Sequence, residues 1–356
     1  MNLEMYECSD YLKMKKILII KPSGIGDIVH SLPVAIGLKY LYPDAELHWL
    51  VFSKFSGILE TVDYVDKIIC WERDGGIKEY LRIFNVLKQE NYDIIIDLQV
   101  LFRTAFLGFL VYKKRIFSTG YVRELTNFFV NPVAKFDPDL HAVERNYQVV
   151  EFFAKKERKN VPQPIEFLPW IKVSGQQQDL AKRKLNYKEE KKYIVCSVSS
   201  RGEHKIWPSE HFVKLISMLK EKYNNLVFVF VGSKDDVWRT NNVIKNLGNI
   251  EYVNLVGLTS LKELCSVLYL SNLTISNDNG VAHISAGLDR PTLILFGPSN
   301  PKWFYPYNKK SGYIYKPIKC SPCGIKTYCK DNVCMKQISP SEVFNYMLEK
   351  FSELLK

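Results

Sequence analysis

The sequence predicts two α/β domains in series, each an open parallel sheet covered by helices on both faces. Three observations carry this prediction. Short apolar runs alternate with helical stretches, the alternation stops at a proline-rich segment and then restarts, and 356 residues exceed what one core ordinarily organises. A hydrophobic fraction of 47% and a charged fraction of 24% belong to a chain able to bury sizeable cores.

The run Lys16–Ile20 is too continuously apolar for a surface strand and reads as central and parallel. Further strands are expected at 47–51, Lys67–Trp71 and Ile94–Asp97, with a helix over 77–88. Residues 160–170 break the pattern with Pro162, Pro164 and Pro169, and residues 175–192 are polar and rich in Gln and Lys. A first domain over 14–170, a linker over 171–192 and a second domain over 193–338 follow from this shift in composition. In the second domain, strands are expected at 193–198, 226–231, 252–255, 273–276 and Thr292–Phe296. Helices are expected over Ser209–Lys222, with Ser209 as its cap, and over 260–270 and 280–288. An amphipathic helix behind Pro340 closes the chain within 339–356.

The balance of 49 basic against 38 acidic residues gives a net charge of +11, which speaks to partners and not to fold. Nucleic acid, an anionic membrane surface or a phosphorylated substrate would each suit it, as would a general lysine bias, since the lysines are scattered. Residues 1–13 carry Glu4, Glu7 and Asp10 where a secretory signal needs an apolar core. With Met14 directly before the first strand, they read as a frayed extension or a mis-assigned start. The longest candidate span, 106–112, is far short of the ~20 residues a membrane helix needs, so a cytoplasmic protein is expected.

In open parallel sheets ligands bind beyond the carboxyl ends of the strands, so the strand-end loops hold the candidate site residues. After the first strand comes Lys21-Pro22-Ser23-Gly24-Ile25-Gly26-Asp27-Ile28-Val29-His30. Gly24 and Gly26 allow a tight turn, yet a dinucleotide fingerprint would need glycine at 29, and the Gly-Lys-Ser/Thr of a phosphate loop is missing. Asp27 has two readings, a general base or a helix-start carboxylate stabilised by the helix dipole. The second domain opens with Ser199-Ser200-Arg201-Gly202-Glu203-His204-Lys205-Ile206-Trp207-Pro208, whose hydroxyls and cations suit a diphosphate or make a basic surface loop. A third loop, Ser276-Asn277-Asp278-Asn279-Gly280-Val281-Ala282-His283, puts free N–H groups at a helix start. Asp278 there repels phosphate and is expected to orient the loop or bind a sugar hydroxyl. His283 either reaches the site or is a satisfied structural residue.

Of the cysteines, Cys8, Cys70, Cys196 and Cys265 are isolated, and the last three lie in apolar segments where reduced, buried thiols are expected. Cys320, Cys323, Cys329 and Cys334 are clustered. One Cys-x-x-Cys with two more cysteines can bind a metal, but the spacing is not that of two paired Cys-x-x-Cys units; redox pairing and packing are equally open.

Taken in order, these motifs resemble the heptosyltransferases of glycosyltransferase family 9. The residues that carry the resemblance are Gly26-Asp27-Ile28-Val29-His30-Ser31-Leu32-Pro33, then Lys205-Ile206-Trp207-Pro208, then 277–286, then 296–301. Cys320-Ser321-Pro322-Cys323 and Cys334-Met335 also recur in that family, generally without a metal role. The chain departs from the pattern at Asn279, where Thr or Ser is usual, and at Ser199-Ser200, where Thr is common. The resemblance implies a GT-B architecture, two Rossmann-like domains facing a central cleft, with an acceptor-binding first domain and a donor-binding second domain. It implies inverting, metal-independent transfer with Asp27 as base and no cofactor beyond the nucleotide-sugar donor, typically ADP-heptose. Ser199, Ser200, Arg201, Lys205, Asp278, Asn279, Gly280 and His283 would bind that donor. The acceptor would be an anionic glycolipid or saccharide such as the lipopolysaccharide inner core. Arg103, Arg115 and Arg123 are candidates to clamp it, or are solvated surface charge. Peripheral contact with the cytoplasmic face of the inner membrane is part of the same expectation.

Two rival readings remain at this level. A nucleotide-sugar epimerase could use the same scaffold without an acceptor. A non-catalytic binding protein could use the basic charge, although the chain lacks the aromatic-basic interleaving of nucleic-acid modules, and no nucleic-acid partner is expected.

Overall fold

The structure is a computed structural model and describes residues 14–112, 116–120, 124–324, 329 and 331–356. The chain divides into two compact units, 1–170 and 171–356.

In the first unit the order is β1 (Lys16–Ile20), α1 (Ile25–Val29), α2 (Leu32–Leu41), β2 (Glu46–Phe52), α3 (Ser56–Leu59), β3 (Lys67–Trp71), α4 (Gly76–Gln89), β4 (Ile94–Asp97), α5 (Phe102–Val111), β5 (Ile116–Ser118), β6 (Asn131–Pro132) and α6 (Ala142–Glu157). The strands form one parallel sheet in the order β3-β2-β1-β4-β5-β6. Ile17 to Ile20 of β1 are buried because strands flank it on both edges and helices cover both faces. The proline-rich segment packs onto this unit: the Trp170 indole donates to Pro164 O at 3.0 Å, and Tyr64 donates to Trp170 O at 2.8 Å.

In the second unit the order is α7 (Gly175–Leu185), β7 (Lys192–Ser197), α8 (Ser209–Lys222), β8 (Leu226–Phe230), α9 (Val237–Ile244), β9 (Tyr252–Asn254), α10 (Leu261–Leu270), β10 (Leu273–Asn277), α11 (Gly280–Gly287), β11 (Thr292–Phe296), α12 (Pro301–Phe304), β12 (Gly312–Tyr315), α13 (Val333–Lys336) and α14 (Pro340–Leu355). Its sheet, β12-β11-β10-β7-β8-β9, is again parallel. Counted from its own first strand, each sheet has the 3-2-1-4-5-6 order of a Rossmann fold. In each, the strand order reverses between the first and fourth strands, β1 and β4 in one and β7 and β10 in the other.

Four expectations need correction. The polar stretch at 171–192 is no linker: Ser174 accepts a hydrogen bond from Gln177 N, and α7 grows from that cap as part of the second unit. The closing helix is not a separate element, since Val343, Met347, Phe351 and Leu355 of α14 belong to the same core as Phe212, Leu215 and Leu219 of α8. Ser209 is the first residue of α8 and does not cap it; Pro208 holds the cap position. Cys70 is exposed because β3 is an edge strand, whereas Cys196 and Cys265 are buried as expected. Residues 1–13, with Cys8, lie outside the described residues. Among the described residues no helix is long and apolar enough to cross a membrane.

Candidate active site

The second unit gathers its candidate residues at the reversal between β7 and β10. These strands run parallel with Ser197 beside Ser276, so the loops leaving both carboxyl ends start at the same level. Asn279 joins the two loops. Its Nδ2 donates to Ser197 Oγ at 2.9 Å and to Ser199 O at 2.7 Å. Its Oδ1 accepts from Val281 N at 2.9 Å and from Ser276 Oγ at 3.0 Å, which caps α11. Both ends of the amide are therefore engaged within the protein, and the side chain holds the two loops together. Gly280 opens α11 directly behind it.

Asp278 is the hub of this site. Its Oδ2 lies 2.6 Å from Lys205 Nζ and accepts from Ser299 Oγ at 2.5 Å, and its Oδ1 lies 3.5 Å from His283 Nε2. Ser200 Oγ donates to the Asp278 carbonyl at 3.0 Å. Three strand-end loops, after β7, β10 and β11, thus converge on one buried residue. Burial alone would push the Asp278 carboxyl up. The hydrogen bond from His283 and the charge of Lys205 outweigh it and hold the group well below the usual carboxylate range.

The position of Lys205 is fixed two residues later. The Trp207 indole is buried and donates to Ile338 O at 2.8 Å, while its backbone N donates to Asn277 Oδ1 at 2.9 Å. Asn332 donates to Ile206 O at 2.6 Å, and Arg239 of α9 pairs with Glu203 at 2.7 Å. The Lys-x-Trp-Pro sequence is thus a clamp with its lysine at the loop tip. Ser199 donates to the Asp236 carboxylate, which also accepts from Ser233 N at 2.7 Å. Arg201 is exposed. Ser299, Asp236 and the anchoring role of Asn277 were not read from the sequence. The available signals were the position of Ser299 directly behind a strand and the Ser233-x-x-Asp236 spacing of a capping box.

In the first unit Asp27 is an exposed carboxylate in the first turn of α1, beyond the end of β1. Gly24 takes φ 69°, and a Cβ on it would collide with Asp27 Oδ2, so the missing side chain makes room for the carboxylate. Gly26 lies inside α1 and supplies no turn; only Gly24 of the pair adopts the left-handed conformation. Lys21 bridges the reversal by donating to Leu98 O at 2.8 Å. Next to it Asp97 is fully buried, with Oδ1 accepting from Gln99 N at 2.9 Å and from Val100 N at 3.0 Å. Burial pushes its carboxyl up to about 6. Arg103 lies over Trp71, 4.4 Å from the ring centroid, near the ends of β2 and β3. Arg115 and Arg123 lie outside the described residues.

Cys320, Cys323, Cys329 and Cys334 carry free thiols, and among the described residues no group of three or more His, Cys, Asp or Glu is arranged to hold a metal ion. The Cys-x-x-Cys turn instead ties down the loop after β11. Ser321 Oγ donates to Gly297 O at 2.6 Å, and Cys323 N to Pro298 O at 3.1 Å. A Cβ on Gly297 would stand 2.5 Å from Met335 Sδ and 2.9 Å from Cys334 Sγ. The Cys334-Met335 pair is therefore packed where the loop carrying Ser299 begins.

Known proteins resemble this chain in sequence and in fold. The sequence pattern of glycosyltransferase family 9 (heptosyltransferase) matches residues 80–333. Lipopolysaccharide heptosyltransferase 1 of Campylobacter coli is 26% identical over 345 residues, covering 95% of this chain and 99% of that one. Two Escherichia coli structures share the fold. ADP-heptose lipopolysaccharide heptosyltransferase II has a TM-score of 0.76 at 22% identity, covering 96% of this chain and 98% of its own. The heptosyltransferase WaaC with ADP has a TM-score of 0.73 at 23% identity, covering 94% and 99%. Two Rossmann-like units of the GT-B class, motifs in the family's order and a match over most of the chain lead to one assignment: the chain belongs to glycosyltransferase family 9, the heptosyltransferases.

Proposed function

We propose that this chain transfers heptose from ADP-heptose to the lipopolysaccharide inner core or a related anionic saccharide, with inversion and without a metal ion. The observation that carries this reading is the convergence of three strand-end loops of the second unit on the Lys205–Asp278 pair, at the reversal where Rossmann folds take nucleotides. The second unit would bind the donor, with Lys205, Arg201, Ser199 and Ser200, whose hydroxyls would turn to it from Asp236 and the Asp278 carbonyl, and the backbone at Gly280 around the diphosphate. Asp278, Asn279 and His283 would hold those groups in place. The first unit would bind the acceptor, with Arg103, Arg115 and Arg123 as candidate contacts to its anionic groups.

In the proposed reaction the Asp27 carboxylate takes the proton of an acceptor hydroxyl. The oxygen forms a bond to the anomeric carbon as the bond from that carbon to the diphosphate breaks, and ADP leaves with the electron pair. Fixed cations and backbone dipoles stabilise the leaving charge. A lipid-linked acceptor would bring the enzyme to the cytoplasmic face of the inner membrane.

The test combines thermal shift with turnover. The melting temperature is expected to rise with ADP and ADP-heptose, because a ligand of the folded state stabilises it by mass action, and not with UDP, GDP or CMP. Turnover is expected to persist in EDTA and to vanish in Asp27→Asn while the ADP shift remains. A selective shift with another nucleotide would change the donor. Loss of turnover in EDTA restored by Mg²⁺ would overturn the metal-free mechanism, and normal turnover of Asp27→Asn would remove Asp27 as base.

A further inference from the structure

The first unit leaves an aromatic face uncovered. Along α5, Thr104, Ala105, Leu107 and Gly108 are buried, whereas Phe102 is 49% and Leu110 36% exposed. Phe129 packs against this outer face, its ring 5.4 to 5.6 Å from those of Phe102, Phe106 and Phe109. Glu124 fastens the same segment to the helix by accepting from Phe102 N at 2.9 Å. Next to Phe129 in the chain, Leu125 and Phe128 are each 73% exposed, on a short turn where burial would ordinarily be favoured.

The charge of the surrounding chain says what suits this face. Residues 99–136 contain six cations, Arg103, Lys113, Lys114, Arg115, Arg123 and Lys135, against one carboxylate, Glu124, which is spent on the helix start. Exposed phenylalanines on a chain segment with six cations to one carboxylate match the chemistry of an anionic bilayer surface, where rings enter the headgroup boundary and basic residues near it are attracted to the lipid charge. A second copy of this chain fits less well, because a two-fold contact would set like charges against like.

We infer that the face built by α5 and residues 124–129 docks onto anionic lipid. This rests on the proposed reading, in which the acceptor is carried by a membrane lipid, and it names the surface that would bring the first unit to it.

The experiment is co-sedimentation of the full chain with vesicles of phosphatidylcholine alone and of phosphatidylcholine mixed with phosphatidylglycerol. The wild type is expected to bind the anionic vesicles and to be released as salt rises. The variant Leu125→Asn/Phe128→Ser alters only highly exposed side chains. It is expected to lose at least about tenfold in vesicle affinity, while its melting temperature and its shift with ADP stay unchanged. Absent wild-type binding to anionic vesicles, or equal binding by the variant, would overturn the inference. Light scattering that shows a dimer broken by the variant, without vesicle binding, would assign the face to a second copy instead. The ADP shift reads the proposed function separately, so vesicle binding without that shift would leave the surface standing and remove the donor assignment.

Discussion

Lys205 Nζ and Asp278 Oδ2 lie 2.6 Å apart in a largely buried site, and the carboxylate also serves Ser299 and His283. Asp278 therefore carries more of the site's structure than Lys205. Asp278→Ala is expected to cost about 3–5 kcal/mol, as when one partner of a buried pair is removed, because it leaves a buried cation without its counter-charge. Lys205→Ala is expected to cost less stability and to weaken ADP binding. Urea unfolding with and without ADP separates the two. The folded-state carboxyl is depressed, so its stabilisation is present above the unfolded value near 4 and is lost as pH falls through the lower folded value. A wild type that lost no stability relative to Asp278→Asn on acidification would contradict this arrangement.

Gly24 and Asp27 are coupled in the same way on the other unit. At φ 69° an alanine would carry a left-handed penalty of about 1–2 kcal/mol, and its Cβ would occupy the place of Asp27 Oδ2. Gly24→Ala is expected to lower kcat by tenfold or more, roughly 1.4 kcal/mol or above in the barrier, with little change in the KM for the donor. Equal kcat in wild type and variant, from steady-state kinetics, would mean that the carboxylate's position above Gly24 is immaterial to turnover.

The architecture was legible because buried parallel strands leave an unmistakable mark: Lys16–Ile20, Ile94–Asp97 and Thr292–Phe296 stand where the apolar runs placed them. The short strands β5, β6 and β12 left little mark, since two to four residues make no run. Helix α7 was hidden by composition: a helix with only Ala181 and Leu185 fully buried looks like a linker until its Ser174 cap is noticed. Loop positions were legible and the hydrogen bonds that hold the loops were not. The cap of Asn279 on α11 and its bridge to Ser199 form only when β7 and β10 lie side by side, which no local sequence pattern announces. Asp97 looked like the end of a strand, and only its burial next to Lys21 and Leu98 gives it a chemistry.

Val100 shows that chemistry acting on the backbone. It is buried, β-branched and held at φ 51°, where non-glycine residues are rare, with its N–H bound to Asp97 Oδ1. Val100→Ala and Val100→Gly both remove the branched side chain, but only glycine relieves the left-handed conformation. Val100→Gly is expected to be the more stable of the two by about 1 kcal/mol, the reverse of the usual alanine–glycine order. Chemical denaturation of the two variants decides the point, and an alanine variant at least as stable would show that the loop relaxes out of this conformation.

Asp97 itself predicts a pH dependence opposite to that of Asp278. Its folded value is raised to about 6 from an ordinary value near 4, so between those limits the folded state holds a proton that the unfolded chain has released. Stability from this group is complete below about pH 4 and is lost as pH rises to about 6. The two-unit shift sets a ceiling of about 3 kcal/mol. In Asp97→Asn the Oδ1 acceptor for Gln99 and Val100 remains and the titration is gone. The stability difference between wild type and Asp97→Asn is therefore expected to move in favour of the variant as pH rises from 4 to 7, whatever constant offset the amide introduces. Parallel curves across that range would mean that the hydrogen bonds from Val100, Thr104 and Gln99, together with the Lys21 charge, cancel the effect of burial on Asp97 completely.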